Sequence, residues 1–280
     1  MRDIIIRFKR RIIQIAAFGF SNSHVQNFAV GRIYEGKWKQ FCNPGLNCYS
    51  CPAAGLACPI GALQAVNGSQ KYSVSLYVTG FLLATGVLFG RAVCGFICPF
   101  GFIQELLSKI PLPKFRLPGG LKYIKYGILV LFVLIIPAAV TNYFGVGEPA
   151  FCKYICPAGT LEAGIPLLLA NEGLRSIAGG LFGLKSAILL VIIIGCIFCR
   201  RFFCKVACPL GAVYGLLNRI SLYHMDIDED KCISCGKCAR VCMMDINPVD
   251  NPNSAECIRC GKCRSGCPAK AIHMGFRNMP

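Results

Sequence analysis

Acidic residues are scarce in this 280-residue chain: 13 Asp and Glu stand against 30 Lys and Arg, and charged residues of both signs make up only 15%. With 55% hydrophobic residues and a mean hydropathy of +0.55, that composition excludes a soluble enzyme of ordinary make-up. Substrate-converting motifs are missing as well. There is no P-loop, no G-x-G-x-x-G after a strand, no nucleophile elbow and no C-x-x-C-H for haem attachment. Histidine is limited to His24, His224 and His273, and His224 reads as a surface residue, not a ligand. Nothing in the chain argues for a covalent flavin site, so any flavin is expected on a partner.

Cysteine, in contrast, is abundant, with 20 residues. Eight of them form two consecutive C-x2-C-x2-C-x3-C runs: Cys232, Cys235, Cys238, Cys242, then Cys257, Cys260, Cys263, Cys267 followed by Pro268. In this pattern three closely spaced thiolates hold one 4Fe-4S cubane and the fourth cysteine of each run ligates the other. The expected sets are Cys232, Cys235, Cys238 with Cys267, and Cys257, Cys260, Cys263 with Cys242. Met243 stands where the motif has proline after the fourth cysteine, which alters how the chain leaves the site more than whether a thiolate is present. Zinc sites present two ligand pairs across a longer spacer. Disulfide density belongs to small secreted domains. Neither describes these runs.

Bilayer-length apolar runs explain the rest of the composition. Tyr72 to Gly90, Tyr126 to Phe144 and Leu181 to Cys199 are each close to the roughly 20 residues a hydrocarbon core requires. The first carries no charge, and the third carries only Lys185, near one end where it can snorkel. A fourth helix is expected from about Arg11 to Val30, interrupted by Ser21, Asn22, Ser23 and His24. Its basic start and short apolar run from Ile12 to Phe20 also resemble a signal peptide, and a cleaved segment is the alternative.

Lys and Arg are divided unequally between the two sides. Fifteen fall at the N-terminus, between the runs ending at Gly90 and starting at Tyr126, and between the last run and the ferredoxin-like tail; six fall in the loops 31–71 and 145–180. The positive-inside rule then puts both termini and the tail in the cytoplasm. The formal charge of +17 raises nucleic-acid binding as an option. The basic residues flank membrane helices instead of forming an aromatic-interleaved patch, and each oxidised cubane with four thiolates subtracts about two charges. No nucleic-acid partner is expected.

Outside the tail a C-x3-C-P-x-G pattern occurs three times: Cys94 to Gly101, Cys152 to Gly159 and Cys204 to Gly211. A looser copy is Cys51-Pro-Ala-Ala-Gly-Leu-Ala-Cys58-Pro-Ile-Gly61, preceded by Cys42 and Cys48. Cysteines four apart lie on one face of a helical turn and can reach one cluster. Proline after the second suits the first position of a new helix, whose free N–H groups would face an anionic cluster. One pair gives two thiolates and a cubane needs four, so copies must combine. Topology pairs Cys94 and Cys98 with Cys204 and Cys208 at the cytoplasmic face. On the other side it pairs Cys51 and Cys58 with Cys152 and Cys156. Cys42 and Cys48 compete for this outer site, since Cys42, Cys48, Cys51 and Cys58 could form a self-contained set. Two or three further 4Fe-4S clusters are expected in the membrane domain. Cys196 and Cys199 read as apolar filler.

With these motifs the chain resembles the membrane-bound polyferredoxins of the NapH and NosR type, over roughly Arg11 to Phe276. The resemblance rests on the C-x3-C-P-x-G copies between membrane helices and on the double cluster motif of the tail. It implies electron transfer between a quinol pool or cytoplasmic donor and a redox partner across the membrane, often a flavoprotein or extracytoplasmic reductase. The extra cysteines at 42, 48, 196 and 199 depart from it.

The expected architecture is a mainly α-helical membrane domain of three to four spans, residues 1–222. It is followed by a small α+β ferredoxin-like domain with two 4Fe-4S clusters, residues 223–280. The expected role is an electron-transfer component of an oxidoreductase complex, not a stand-alone enzyme. A redox-sensing regulator and a quinol dehydrogenase subunit are the alternatives. The latter needs a proton path, and the intramembrane runs offer few ionisable groups beyond Glu148, Glu162 and Lys185.

Overall fold

Cysteine followed by proline starts the short helices that organise the chain. In the computed structural model, Cys98 and Cys208 are N-caps whose sulfurs accept from the amides of Gly101 and Gly211, both at 3.3 Å. Pro99 and Pro209 hold the first helical turn of Pro99–Leu107 and Pro209–Leu217, where a missing N–H costs nothing. Residues 2–67, 75–141 and 147–276 are described; for residues 2–7 and 75 only the backbone is described.

The fold is mainly α-helical with one small sheet, in which β1 (Tyr223–Ile227) pairs antiparallel with β2 (Ile272–Phe276). Two helices are long and apolar enough to cross a bilayer: Gly119–Ala139, with 21 residues, and Gly180–Phe198, with 19. The first widens to π geometry over Leu129–Ile135, ahead of Pro137, which cannot donate to the preceding turn. Of the three or four spans expected, these two have the full length.

The run expected from Tyr72 forms the 15-residue helix Ser75–Phe89, and Tyr72 to Val74 lie outside the described residues, as does Phe144. The N-terminal helix occupies Arg2–Ser21 instead of Arg11 to Val30, with a separate turn at Asn27–Val30. It stops where Ser21 and Asn22 are engaged by a loop: Asn43 donates to the Ser21 hydroxyl at 3.0 Å and Asn47 to the Asn22 carbonyl oxygen at 3.2 Å. Nor is it a plain apolar anchor. Arg10 and Gln14 are buried and both donate to the Gly95 carbonyl, at 3.1 and 3.0 Å.

The tail packs onto the helical part. Met244 and Ile258 belong to the same buried cluster as Cys94, Cys98 and Cys208, while Met225 and Ile272 close a second, smaller core around the sheet.

Candidate metal centres

All 20 cysteines are free thiols, and three cavities are each lined by four of them. In the tail, Cys232, Cys235, Cys238 and Cys267 line one cavity of about 210 Å³. Cys242, Cys257, Cys260 and Cys263 line a narrow cleft beside Met243 and Met244. Each group therefore takes its fourth cysteine from the other run. The short helices Lys237–Val241 and Lys262–Gly266 carry the crossing cysteines at their C-terminal ends. Burial pushes the Cys257 thiol up to about 11 and raises Cys242 as well, so binding a metal there displaces protons.

Among the membrane-domain cysteines, Cys94, Cys98, Cys204 and Cys208 lie within mutual electrostatic reach. Two buried arginines tie their loops together reciprocally. Arg201, three residues before Cys204, donates to the Cys94 carbonyl at 2.6 Å. Arg91, three residues before Cys94, donates to the Cys204 carbonyl at 3.2 Å. Both are fully buried. A methyl group on Gly101 would stand 3.1 Å from the Arg201 guanidinium, and one on Gly211 3.2 Å from that of Arg91. The glycine that closes each C-P-x-G is thus the floor on which the other copy's arginine rests. Arg201 itself has φ 54°, an uncommon conformation for a side-chain-bearing residue.

Carboxylates complete this arrangement. Glu105 accepts from Arg201 Nε at 2.9 Å and also pairs with Arg10 and Arg11. Glu256, from the tail, pairs with Arg91 at 2.8 Å and with Lys125. Burial raises the Glu256 carboxyl, but the two cations outweigh that and hold it below its ordinary range.

Of the candidates for the outer site, Cys48, Cys58, Cys152 and Cys156 line a cavity of about 380 Å³, while Cys51 packs with Ala53, Ala54 and Cys48 and its sulfur points at Asn22. Two residues of non-helical loop, Tyr49 and Ser50, separate Cys48 from Cys51, so the helical-face argument does not reach them. Cys42 has Cys58 as its thiol neighbour and its backbone pairs with Ala57. Cys196 and Cys199 are buried outside these groups. They contact Gln104 and Lys205 respectively.

Several functional contacts have a signal in the sequence that spacing of cysteines alone does not reveal. Six residues after the second cysteine of each copy stand Gln64, Gln104, Glu162 and Tyr214, and each reaches across to another copy or loop. Gln64 donates to the Cys152 sulfur at 3.3 Å, and Gln104 to the Cys204 sulfur at 3.1 Å. Glu162 accepts from the Cys48 amide at 2.7 Å, and Tyr214 donates to the Pro44 carbonyl at 3.0 Å. Lys185 does not snorkel outward. It donates to the Cys152 carbonyl at 3.2 Å, taking the part that Arg91 and Arg201 play for Cys204 and Cys94.

The tail group nearest the membrane domain is held there by backbone contact. A methyl on Gly95, the residue after Cys94, would come within 2.5 Å of the Ile258 carbonyl and 3.8 Å of the Cys260 Cα. No flexible side chain can yield at that point. Gly95→Ala is therefore expected to keep full iron content while slowing electron exchange between tail and membrane domain several-fold. Stopped-flow reduction followed by freeze-quench EPR checks this.

In the tail the donor sets fit iron–sulfur clusters, with four free thiols lining each of two cavities. Among the described residues, no three Cys, His, Asp or Glu side chains converge as they would on one metal ion. Together the apolar helices and cysteine groups define a class, the membrane-associated proteins that carry electrons on iron–sulfur clusters.

Comparison agrees. Residues 71–118, 126–169 and 180–224 each match the family described as 4Fe-4S binding domain, and residues 225–242 match a second family of the same description. The chain is homologous to the membrane-associated ferredoxin-type proteins. An uncharacterized protein of Methanocaldococcus jannaschii is 30% identical over 65% of this chain and 63% of its own length. The methylamine utilization ferredoxin-type protein MauN of Paracoccus denitrificans is 27% identical over 67% of this chain and 61% of its own. The regulatory protein NosR of Pseudomonas aeruginosa is 27% identical over 58% of this chain and 21% of its own. The chain thus spans less than two thirds of each of these relatives. No solved structure matches it.

Proposed function

We propose that this chain is a multi-pass membrane relay that carries electrons between a cytoplasmic donor or the quinone pool and a redox protein on the far side. In this reading three to four helices span the bilayer, residues 223–280 form the cytoplasmic ferredoxin domain, and the Lys and Arg bias supports that orientation. Four groups of cysteines hold the carriers: Cys232, Cys235, Cys238, Cys267; Cys257, Cys260, Cys263, Cys242; Cys94, Cys98, Cys204, Cys208; and Cys48, Cys58, Cys152, Cys156. A 4Fe-4S cluster held by four thiolates supplies reversible electron transfer.

The observation that carries the proposal is that successive groups are joined by direct contacts. Gly95, beside Cys94, abuts Ile258 and Cys260, which links the tail to the inner group. The Leu46 amide donates to the Cys98 sulfur at 3.4 Å, and two residues later in the chain Cys48 enters the outer group, which links inner to outer. The N-terminal helix measures the step. Arg10 bonds at the level of Gly95 and Ser21, the last helical residue, accepts from Asn47 beside Cys48, and eleven helical residues rise about 16 Å. Both membrane groups therefore fit within a hydrocarbon core of about 30 Å.

The buried residues favour transport over chemistry. Arg91, Arg201 and Lys185 donate to the backbone carbonyls of cluster-bearing loops, fixing thiol positions and offsetting negative charge. Holoprotein in sealed vesicles, reduced on one side, should reduce an acceptor enclosed on the other. Transfer that needs added quinone would assign the chain to quinol oxidation, and no transfer with all clusters present would favour a regulatory role.

A further inference from the structure

At the junction of the N-terminal helix, the end of helix Gly180–Phe198 and the tail lies a cavity of about 430 Å³ lined by Arg10, Arg11, Lys109, Arg200, Arg240 and Lys262, with Cys260 in its wall. Among the described residues, no acidic side chain lines it. Arg10 and Arg11 lean on Glu105, which also serves Arg201. Lys109, Arg200, Arg240 and Lys262 have no carboxylate partner among the described residues. Lys262 is half-buried, with Cys260 and Glu105 as well as Arg10 and Arg200 within electrostatic reach. Like charges held this close from four separate elements repel one another unless an anion joins them.

We infer that this cavity binds a phosphate-bearing anion. Four of the six cations are arginines, whose planar forks match phosphate oxygens two at a time. Their excess over Glu105 suits a group with more than one negative charge, and the volume suits a headgroup or small molecule, not a protein loop. The phosphate belongs either to an anionic phospholipid, reached where these residues meet the membrane face, or to a soluble phosphate-bearing compound. Cys260 in the wall puts the bound anion beside the tail group nearest the membrane. The inference stands on charge and cavity shape and holds whether or not the relay reading does.

The test uses anaerobically purified holoprotein in nanodiscs of phosphatidylcholine, titrated with inorganic pyrophosphate by calorimetry at low salt. Parallel nanodiscs doped with phosphatidylglycerol are analysed for retained lipid by native mass spectrometry. The variant Lys109→Glu/Arg200→Glu/Arg240→Glu changes side chains that are exposed or half-exposed, and Arg219→Glu, an exposed cation outside the cavity, is the control. Saturable pyrophosphate binding should weaken roughly ten-fold per reversed cation and be unchanged in the control. Retention of phosphatidylglycerol by the native chain but not the variant, without pyrophosphate binding, would identify the lipid headgroup as the source. Binding of neither probe, or binding that survives the triple reversal, overturns the inference. Should the triple variant lose iron, Lys109→Glu alone decides between the same outcomes.

Discussion

Replacing Arg201 by methionine is expected to destabilise the membrane domain by about 3–5 kcal/mol, the usual cost of stranding a buried charge by removing its partner. It should also lower the iron content by about four atoms per chain, the complement of one cubane. Arg201 is fully buried, donates to the Cys94 carbonyl and shares Glu105 with Arg10 and Arg11. Without it the Cys94 loop loses its tether, and buried Glu105 keeps only Arg10 and Arg11 as compensating charge. Methionine fills similar space, so a cavity is not the cause of the loss. Arg201→Lys separates charge from shape. It should retain more iron than methionine yet melt below the native protein, because an ammonium cannot reproduce the fork that holds Glu105 and Cys94 together. Iron analysis and thermal unfolding under anaerobic conditions test both variants, and native iron content in Arg201→Met would remove the argument for these arginines as cluster tethers.

The cluster motifs of the tail are legible in the sequence because short-range spacing constrains them, whereas the pairing of the Cys94 and Cys204 copies is an expectation from topology. A C-x2-C or C-x3-C step leaves the chain little choice of where its sulfurs point. The apolar runs are legible for the same reason, since a helix of about 20 residues must present that many apolar side chains in succession. What spacing does not convey is longer-range polar pairing. Arg91 and Arg201 stand three residues before their cysteines and look like ordinary basic residues at a helix end, where the positive-inside rule expects them. Their partners, Cys204, Cys94, Glu105 and Glu256, lie up to 165 residues away. Lys185 misleads similarly. From sequence it is a cation near a helix terminus, and only the fold turns it toward Cys152. The N-terminal helix ends at Ser21 because Asn43 and Asn47 hold Ser21 and Asn22, a contact no local pattern contains.

The contrast between Cys48→Ser and Cys51→Ser should be the largest difference between two neighbouring substitutions in this chain. Cys48 shares its cavity with Cys58, Cys152 and Cys156, its amide donates to Glu162, and its sulfur lies 3.8 Å from where a methyl on Gly159 would stand. Serine there removes a soft thiolate from a set of four, and iron should fall by about four atoms per chain. Cys51 has Asn22 as its sulfur contact and packs with Ala53 and Ala54. Serine at that position should leave iron unchanged and cost no more than about 1–2 kcal/mol, the range for a small buried hydrophobe exchanged for a hydroxyl with a hydrogen-bond partner nearby. The same measurement on Cys42→Ser bears on the self-contained alternative. If Cys42, Cys48, Cys51 and Cys58 held the outer cluster, all three serine variants would lose iron together, whereas Cys152→Ser would lose none. A loss confined to Cys48 and Cys152 requires that the outer site be built from two copies of the repeat, as the inner one is. The membrane half of the relay would then consist of two related sites, the inner one braced by crossed arginines and the outer by a single lysine.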